Sequence, residues 1–296
     1  MIKTNKDKLV KISVMGEVVS PVVGDAVYKV SADGEPMILP GVGGITYNVR
    51  VGDPACGWMA DHVEPGVSLE NRVADSRYPH GQSRALNVLS CIGNEATVVR
   101  GDAKGAKGTI VGKHGGIEHV MVDFTPEVME KLVIEDKVQV KAYGVGMKLL
   151  NVPEVKVYNL SPEFLDAIDP SMSGKQLEVP VTHEVPAAIM GSGLGRDQTS
   201  SGDYDITMFD APTVEEYGLS DLRLGDLVAI KDADSSYGRI YRRGAVTVGI
   251  VTHSNCVIAG HGPGVTTLFT STKGLIKPRI DGCANIARLM RLRNDL

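Results

Sequence analysis

EATVVRGDAKGAKGTIVGKHGGIEHVMVDF, residues 95–124, decides the fold. Apolar and polar residues alternate in EATVVR and again in EHVMVDF, and a period of two belongs to a half-buried strand. Glycine-rich turns, GDAKGAKG and KHGG, bracket a short strand, TIVGK. Thr125 and Pro126 then start a short helix, PEVMEKLV, before KVQVKA returns to strand. Four or five short strands with one helical turn fit an SH3-like barrel over about residues 94–146.

The same grammar recurs outward from this stretch. VVGDAVYKV (22–30), VIEDKVQVK (133–141) and LRLGDLVAIK (222–231) each place an acid at a turn and alternate after it. An aspartate that bonds its own backbone closes such a turn and launches the next strand. LVKISVMGEVV, AVYKV and ITYNVRV read as strands in the N-terminal third, and residues 54–82 as a long loop around a few turns. SRALNVLSC reads as a helix with Leu86 and Leu89 inward. SPEFLDAID reads as another, with Ser161 as its cap. TVEEYGL has the spacing of a capping box from Thr213 to Glu216. YRRGAVTVGIVTH and NCVIAG read as paired strands, VTTLFTS as a third, and CANIARLMRLRNDL as a C-terminal helix docked by one face. The expected architecture is mainly β and multi-domain: a loop-rich β segment (1–93), the small barrel (94–146), and a larger sandwich or barrel-like domain with the C-terminal helix (147–296).

Two resemblances follow. RGDAKGAKGTIVG resembles the KOW motif of ribosomal and transcription-elongation proteins, through Gly101, Asp102, Lys104, Gly105, Lys107, Gly108 and Gly112. It implies the first strands of an SH3-like barrel. HGGIEHV, GGITYNVRVGD, DHVEPGVS, MGSGLG, GDYDI and AGHGPGV resemble, along nearly the whole chain, a bacterial and archaeal family known only as a domain of unknown function, the 4438 series. That resemblance implies a multi-domain, mainly-β protein. It carries no activity and no catalytic residue.

Composition narrows the class. The 296 residues are 43% hydrophobic and 23% charged, enough for a sizeable core. The formal net charge is −5, against the basic surplus of a protein that lives on phosphate backbones. No stretch approaches the roughly 20 apolar residues of a membrane span, and the N-terminus has no signal-like apolar run. The expected place is the cytoplasm. Cys56, Cys91, Cys256 and Cys283 form no CxxC pair and are expected to be reduced and mostly buried.

The candidate site residues are histidines and acids beside glycines. Of seven histidines (62, 80, 114, 119, 183, 253 and 261), none forms an HxH or HExxH pair, and the HGGIEH spacing is not expected to aim both rings at one ion. A metal centre would need ligands from distant segments, so the sequence names neither metal nor cofactor. Asp203 and Asp205 in GDYDI share one face if the stretch is a strand, and can work as acid and base. The GSGLG run at 191–195 fits neither phosphate-loop template. A nucleophilic Cys56 or Cys91 is an open alternative.

Two readings result. The first is an enzyme, a hydrolase acting on a small polar molecule, with His261, His62, Asp61, His183, Asp203 and Asp205 as catalytic candidates. Gly260, Gly262, Gly264, His114 and Lys113 would bind the ligand, and GHGPG would be a cleared site loop. The second is a module that binds RNA or a translation-linked partner through Arg100, Lys104, Lys107 and Lys113. Acidic charge and only 5% aromatics weigh against nucleic acid as a partner. A homo-oligomer is expected from the many sheet edges.

Overall fold

In the computed structural model, which describes residues 2–23, 26–73, 77–78, 80–193 and 199–296, six strands close into a barrel. They are β1 (Ile12–Val18), β2 (Gly66–Glu70), β3 (Glu95–Val98), β4 (Lys107–His114), β5 (His119–Asp123) and β6 (Lys137–Ala142). Their order is β1-β6-β3-β4-β5-β2, with β2 returning to β1 and every pairing antiparallel. The 95–142 stretch therefore supplies four strands, and β1 and β2 reach back into the loop-rich segment to finish the ring. Closure leaves no free edge on the barrel.

A second sheet curls into a half-barrel. It holds β7 (His183–Pro186), β8 (Met190–Gly193), β9 (Tyr204–Ile206), β10 (Leu227–Asp234), β11 (Ile240–His253) and β12 (Gly264–Ser271), in the order β7-β10-β11-β12-β9-β8. Only β7 and β10 run parallel among these pairs. The acid-turn grammar builds both sheets. Asp136 accepts the Val133 N–H at 3.0 Å before β6, and Asp226 accepts the Arg223 N–H at 2.9 Å before β10. Gly24 and Asp25 of the first copy lie outside the described residues.

The two sheets meet at β4. A Cβ on Gly112 would stand 2.0 Å from Thr252 Oγ1, so only glycine lets β4 lie this close to β11. The hydroxyls of Thr252 and Thr266 donate to the Lys113 carbonyl at 3.4 and 3.1 Å. One apolar core runs through this contact, from Val67, Ile110, Val122 and Val140 to Val248, Ile250 and Phe269. A smaller core under β9, β10 and β12 holds Tyr204, Ile206, Ile230 and Val265.

The helices are short. α1 (Gly81–Leu89) buries Leu86, and α2 (Pro162–Ile168) is capped by Ser161, whose Oγ accepts from Phe164 N at 3.0 Å. Four readings need correction. ITYNVRV is strand only at Ile45–Thr46 and turns directly after it. The helix at 211–216 is capped by Asp210, not Thr213, because Asp210 is the acceptor for Thr213 N. NCVIAG is not a strand: Asn255 N donates to Ala55 O, and His62 N donates to Asn255 O, so this stretch bonds to the 54–65 loop. The C-terminal helix is a single turn, Ile286–Leu289, capped by Asn285, and the chain turns away at Arg291 (φ 55°). Among the described residues no helix is long and apolar enough to cross a membrane.

Candidate active site

Four strand ends and one loop converge where the sheets meet. Asp205, Gly264 and His253 stand opposite one another on β9, β12 and β11. Side chains in such a row share one face. A Cβ on Gly264 would lie 2.1 Å from Asp203 Oδ2 and 2.2 Å from His253 Nε2, so the space above this glycine belongs to those two groups. From the barrel, β4 ends in His114, which faces His119 across the turn to β5. The 54–65 loop supplies Asp61, His62 and Glu64. His62 sits at φ 55°, a left-handed value that a non-glycine residue holds only when its surroundings dictate it.

The imidazoles pack against one another, His62 on His114 face to face and His261 edge-on to His62. Ring centroids are 5.6 Å apart for His62 and His114, 4.3 Å for His114 and His253, and 5.0 Å for His62 and His261. Buried acceptors hold their Nδ1 atoms. Asp61 Oδ1 lies 2.9 Å from His62 Nδ1, Glu64 Oε1 2.5 Å from His114 Nδ1, and the Ser254 carbonyl 2.9 Å from His253 Nδ1. Glu64 also takes His119 Nδ1 at 2.9 Å, the Gly43 N–H at 3.0 Å and the Ser68 hydroxyl. HGGIEH thus does bring its two rings together, on one carboxylate. The reason is the paired register of β4 and β5, which sets both on the same face of the hairpin.

Asp61, Glu64, Asp203 and Asp205 are each at most 5% exposed. Among the described residues their ion pairs run to histidines, except for Lys29 on Asp61. Burial opposes the charged ring of His62, but Asp205 and Asp61 outweigh it and raise its pKa to about 9. Burial likewise opposes the charge on Glu64, and the two rings bonded to it still hold its carboxyl well below the usual range. Asp205 is held low in the same way by His261 and His62, and His253 is raised by Asp203 and Asp205. His261 closes the cluster on the solvent side. Its side chain is 35% exposed, with Nδ1 3.0 Å from Asp205 Oδ2.

His62, His114, His261, Asp61, Asp203 and Asp205 therefore come together. His183 does not: it pairs with Asp221 at 2.9 Å beside Asp226, away from these residues. GHGPG is a turn whose glycines differ: the space beside Gly262 is filled by β9, and nothing lies within 4 Å of where a Cβ on Gly260 would stand. A Cβ on Gly262 would meet the Ile206 carbonyl at 1.8 Å, and the Gly260 carbonyl accepts the Ser192 N–H at 2.7 Å. Lys113 is fully buried, with Nζ on Asn159 Oδ1 at 2.8 Å and on the Ser200 carbonyl at 2.9 Å. It is thus out of reach of a phosphate at the surface. Burial pushes the Cys56 and Cys91 thiols up to about 11, which removes both as thiolate nucleophiles near neutrality. Part of GSGLG, from residue 194, lies outside the described residues.

Sequence reading passed over Glu64, His119 and His253 as site members, and Cys256, whose thiol donates to Asp61 Oδ1 at 2.7 Å. Glu64 and His119 stand in the quoted DHVEP and HGGIEH stretches. His253 carries only the signal of a polar residue ending a long apolar strand.

Two family models match in tandem: the N-terminal domain of unknown function DUF4438 over residues 28–166, and its C-terminal partner over 168–290. The chain belongs to the DUF4438 family. Five of the six barrel strands of this DUF4438 protein fall within the first matched span, and the half-barrel falls within the second. The crystal structure of TM1086 is similar throughout, at 48% identity and a TM-score of 0.88, over 96% of this chain and 98% of that one. A search of curated proteins found no match.

Proposed function

We propose that this DUF4438 protein is an enzyme, a hydrolase acting on a small polar molecule at the histidine–aspartate cluster between its two sheets. One observation carries the reading: acids and histidines from both sheets meet in a buried group whose outermost ring, His261, reaches solvent. Groups that can give and take protons are useful to chemistry when a substrate can touch one of them. His62, held charged to about 9, is a proton donor at neutral pH, and Asp205 links it to His261. The cytoplasmic setting and a homo-oligomeric state belong to the same proposal.

The test is a hydrolysis screen over small esters, amides, phosphoesters and lactones, with wild type, Asp205→Asn and His261→Ala side by side. Removing a group that moves a proton costs about 10²–10⁴-fold in rate. His261→Ala should lose that much while stability falls by only about 1 kcal/mol, the worth of one hydrogen bond. A substrate turned over equally by all three proteins would defeat the reading.

A further inference from the structure

We propose that the cluster holds one divalent transition-metal ion, ligated by His114, Asp203 and His253. The inference concerns the same residues as the hydrolytic reading and rests on their being a working site, though not on hydrolysis itself.

The first observation is an orphan. Asp203 is 5% exposed, its Oδ1 accepts the Gly115 N–H at 2.7 Å, and among the described residues its Oδ2 has no hydrogen-bond donor. Buried carboxylate oxygens rarely go without a partner. The nearest group is His253 Nε2, at 2.8 Å but out of line for a hydrogen bond. His253 Nδ1 is committed to the Ser254 carbonyl, so Nε2 is the ring nitrogen turned toward that oxygen. A cation seated beside this pair would give both atoms a partner.

The second observation is the shape of the set. His114 Nδ1 is taken by Glu64, which leaves its other ring nitrogen for the cluster. Ligand atoms of His114, Asp203 and His253 lie within 4.8 Å of one another. Bonds of about 2.0–2.2 Å put neighbouring ligands of a tetrahedral ion roughly 3.4 Å apart, so side-chain adjustment of about an ångström, with the 2.8 Å Asp203–His253 pair opening slightly, completes the site. Each imidazole has the outer partner that metal-bound histidines use to fix their tautomer: a carboxylate for His114, a backbone carbonyl for His253. Four buried carboxylates against Lys29 and the charged ring of His62 also leave negative charge for a cation to meet.

Other sets around the cluster are less open. Asp205 Oδ2 already has His261 and the Gly262 N–H, and Cys256 is committed to Asp61. Two imidazoles and one carboxylate select zinc, iron, cobalt, nickel or manganese over magnesium and calcium, which prefer oxygen alone.

Cobalt(II) reports on this directly. Chelator-treated full-length protein is titrated with CoCl₂ and followed by visible absorption. The proposal expects one equivalent bound, with weak d–d bands and no intense thiolate charge-transfer band. Asp203→Asn and His253→Gln should each weaken binding by more than about 100-fold, and Glu64→Gln by about 10–100-fold, the usual cost of an outer partner. His80→Gln, an exposed histidine outside the cluster, should bind as wild type does. The wild-type spectrum stands even if a variant fails to fold. No binding, binding indifferent to Asp203 and His253, or a thiolate band marking Cys256 as ligand would each overturn the site. A protein that binds cobalt and hydrolyses nothing keeps this inference and loses the hydrolytic one; turnover by the chelated protein with no cobalt bound on titration does the reverse.

Discussion

Lys113 shows how much one residue's surroundings decide. The sequence places it in a basic turn, beside lysines that face solvent. In the fold it lies between the barrel and the second sheet, with two neutral oxygens as its partners. Burial lowers its pKa from 10.5 to about 8. Between these values the unfolded chain binds more protons than the folded one, so stability rises with pH across that window and the penalty is in full force below about 8. The penalty amounts to roughly 3 kcal/mol at pH 7. Lys113→Met should abolish this rise. In urea titrations with chelator present, the stability of Lys113→Met relative to wild type should fall by about 2 kcal/mol between pH 7.5 and 10. A difference that does not change with pH would mean that the amine keeps its ordinary pKa in the fold.

At the scale of elements, the row Asp205–Gly264–His253 across β9, β12 and β11 sets the site. Strand pairing aligns the two functional side chains, and glycine between them leaves the space they fill. Gly264→Ala would press a methyl on both Asp203 and His253, and overpacking of this kind costs about 1–3 kcal/mol. Gly282, with ordinary φ and nothing within 4 Å of where a methyl would stand, is the control. Gly282→Ala should shift stability by less than about 0.5 kcal/mol. Thermal denaturation of both variants checks this, and cobalt titration should find Gly264→Ala the weaker binder. Equal stability and equal binding in the two would show that the row adapts to the methyl.

At the scale of the whole molecule, charge argues against nucleic acid. The net charge is −5, and Lys107 and Lys141 both pair with Glu95, at 2.9 and 3.2 Å. With Lys113 buried and Lys107 paired, the exposed Arg100 and Lys104 are what the KOW-like basic turn offers to phosphates. Binding to a generic single-stranded RNA should be weak and fall steeply with salt. Fluorescence anisotropy at about 150 mM salt, near physiological ionic strength, is the measurement, and submicromolar affinity there would restore the RNA-binding reading.

Local pattern carried much of the fold. Alternation in EATVVR, EHVMVDF and KVQVKA, and the acid turns before β6 and β10, are interactions between residues a few positions apart, so the sequence by itself determined these strands, the Ser161 cap and the mainly-β class. It also marked Asp203 and Asp205 as same-face acids, since period two is a local property of a strand. Which strands closed the barrel was settled elsewhere: β1 and β2 join a ring whose other four strands lie far along the chain. The cluster is more distant still, with His62, His114 and His253 contributed by a loop and two strand ends. No short-range spacing records such a meeting. Only the tertiary structure decided that His183 stays apart, that Lys113 is buried, and that Glu64 gathers two rings, because these depend on the register between strands and on glycines that let β4 lie against β11.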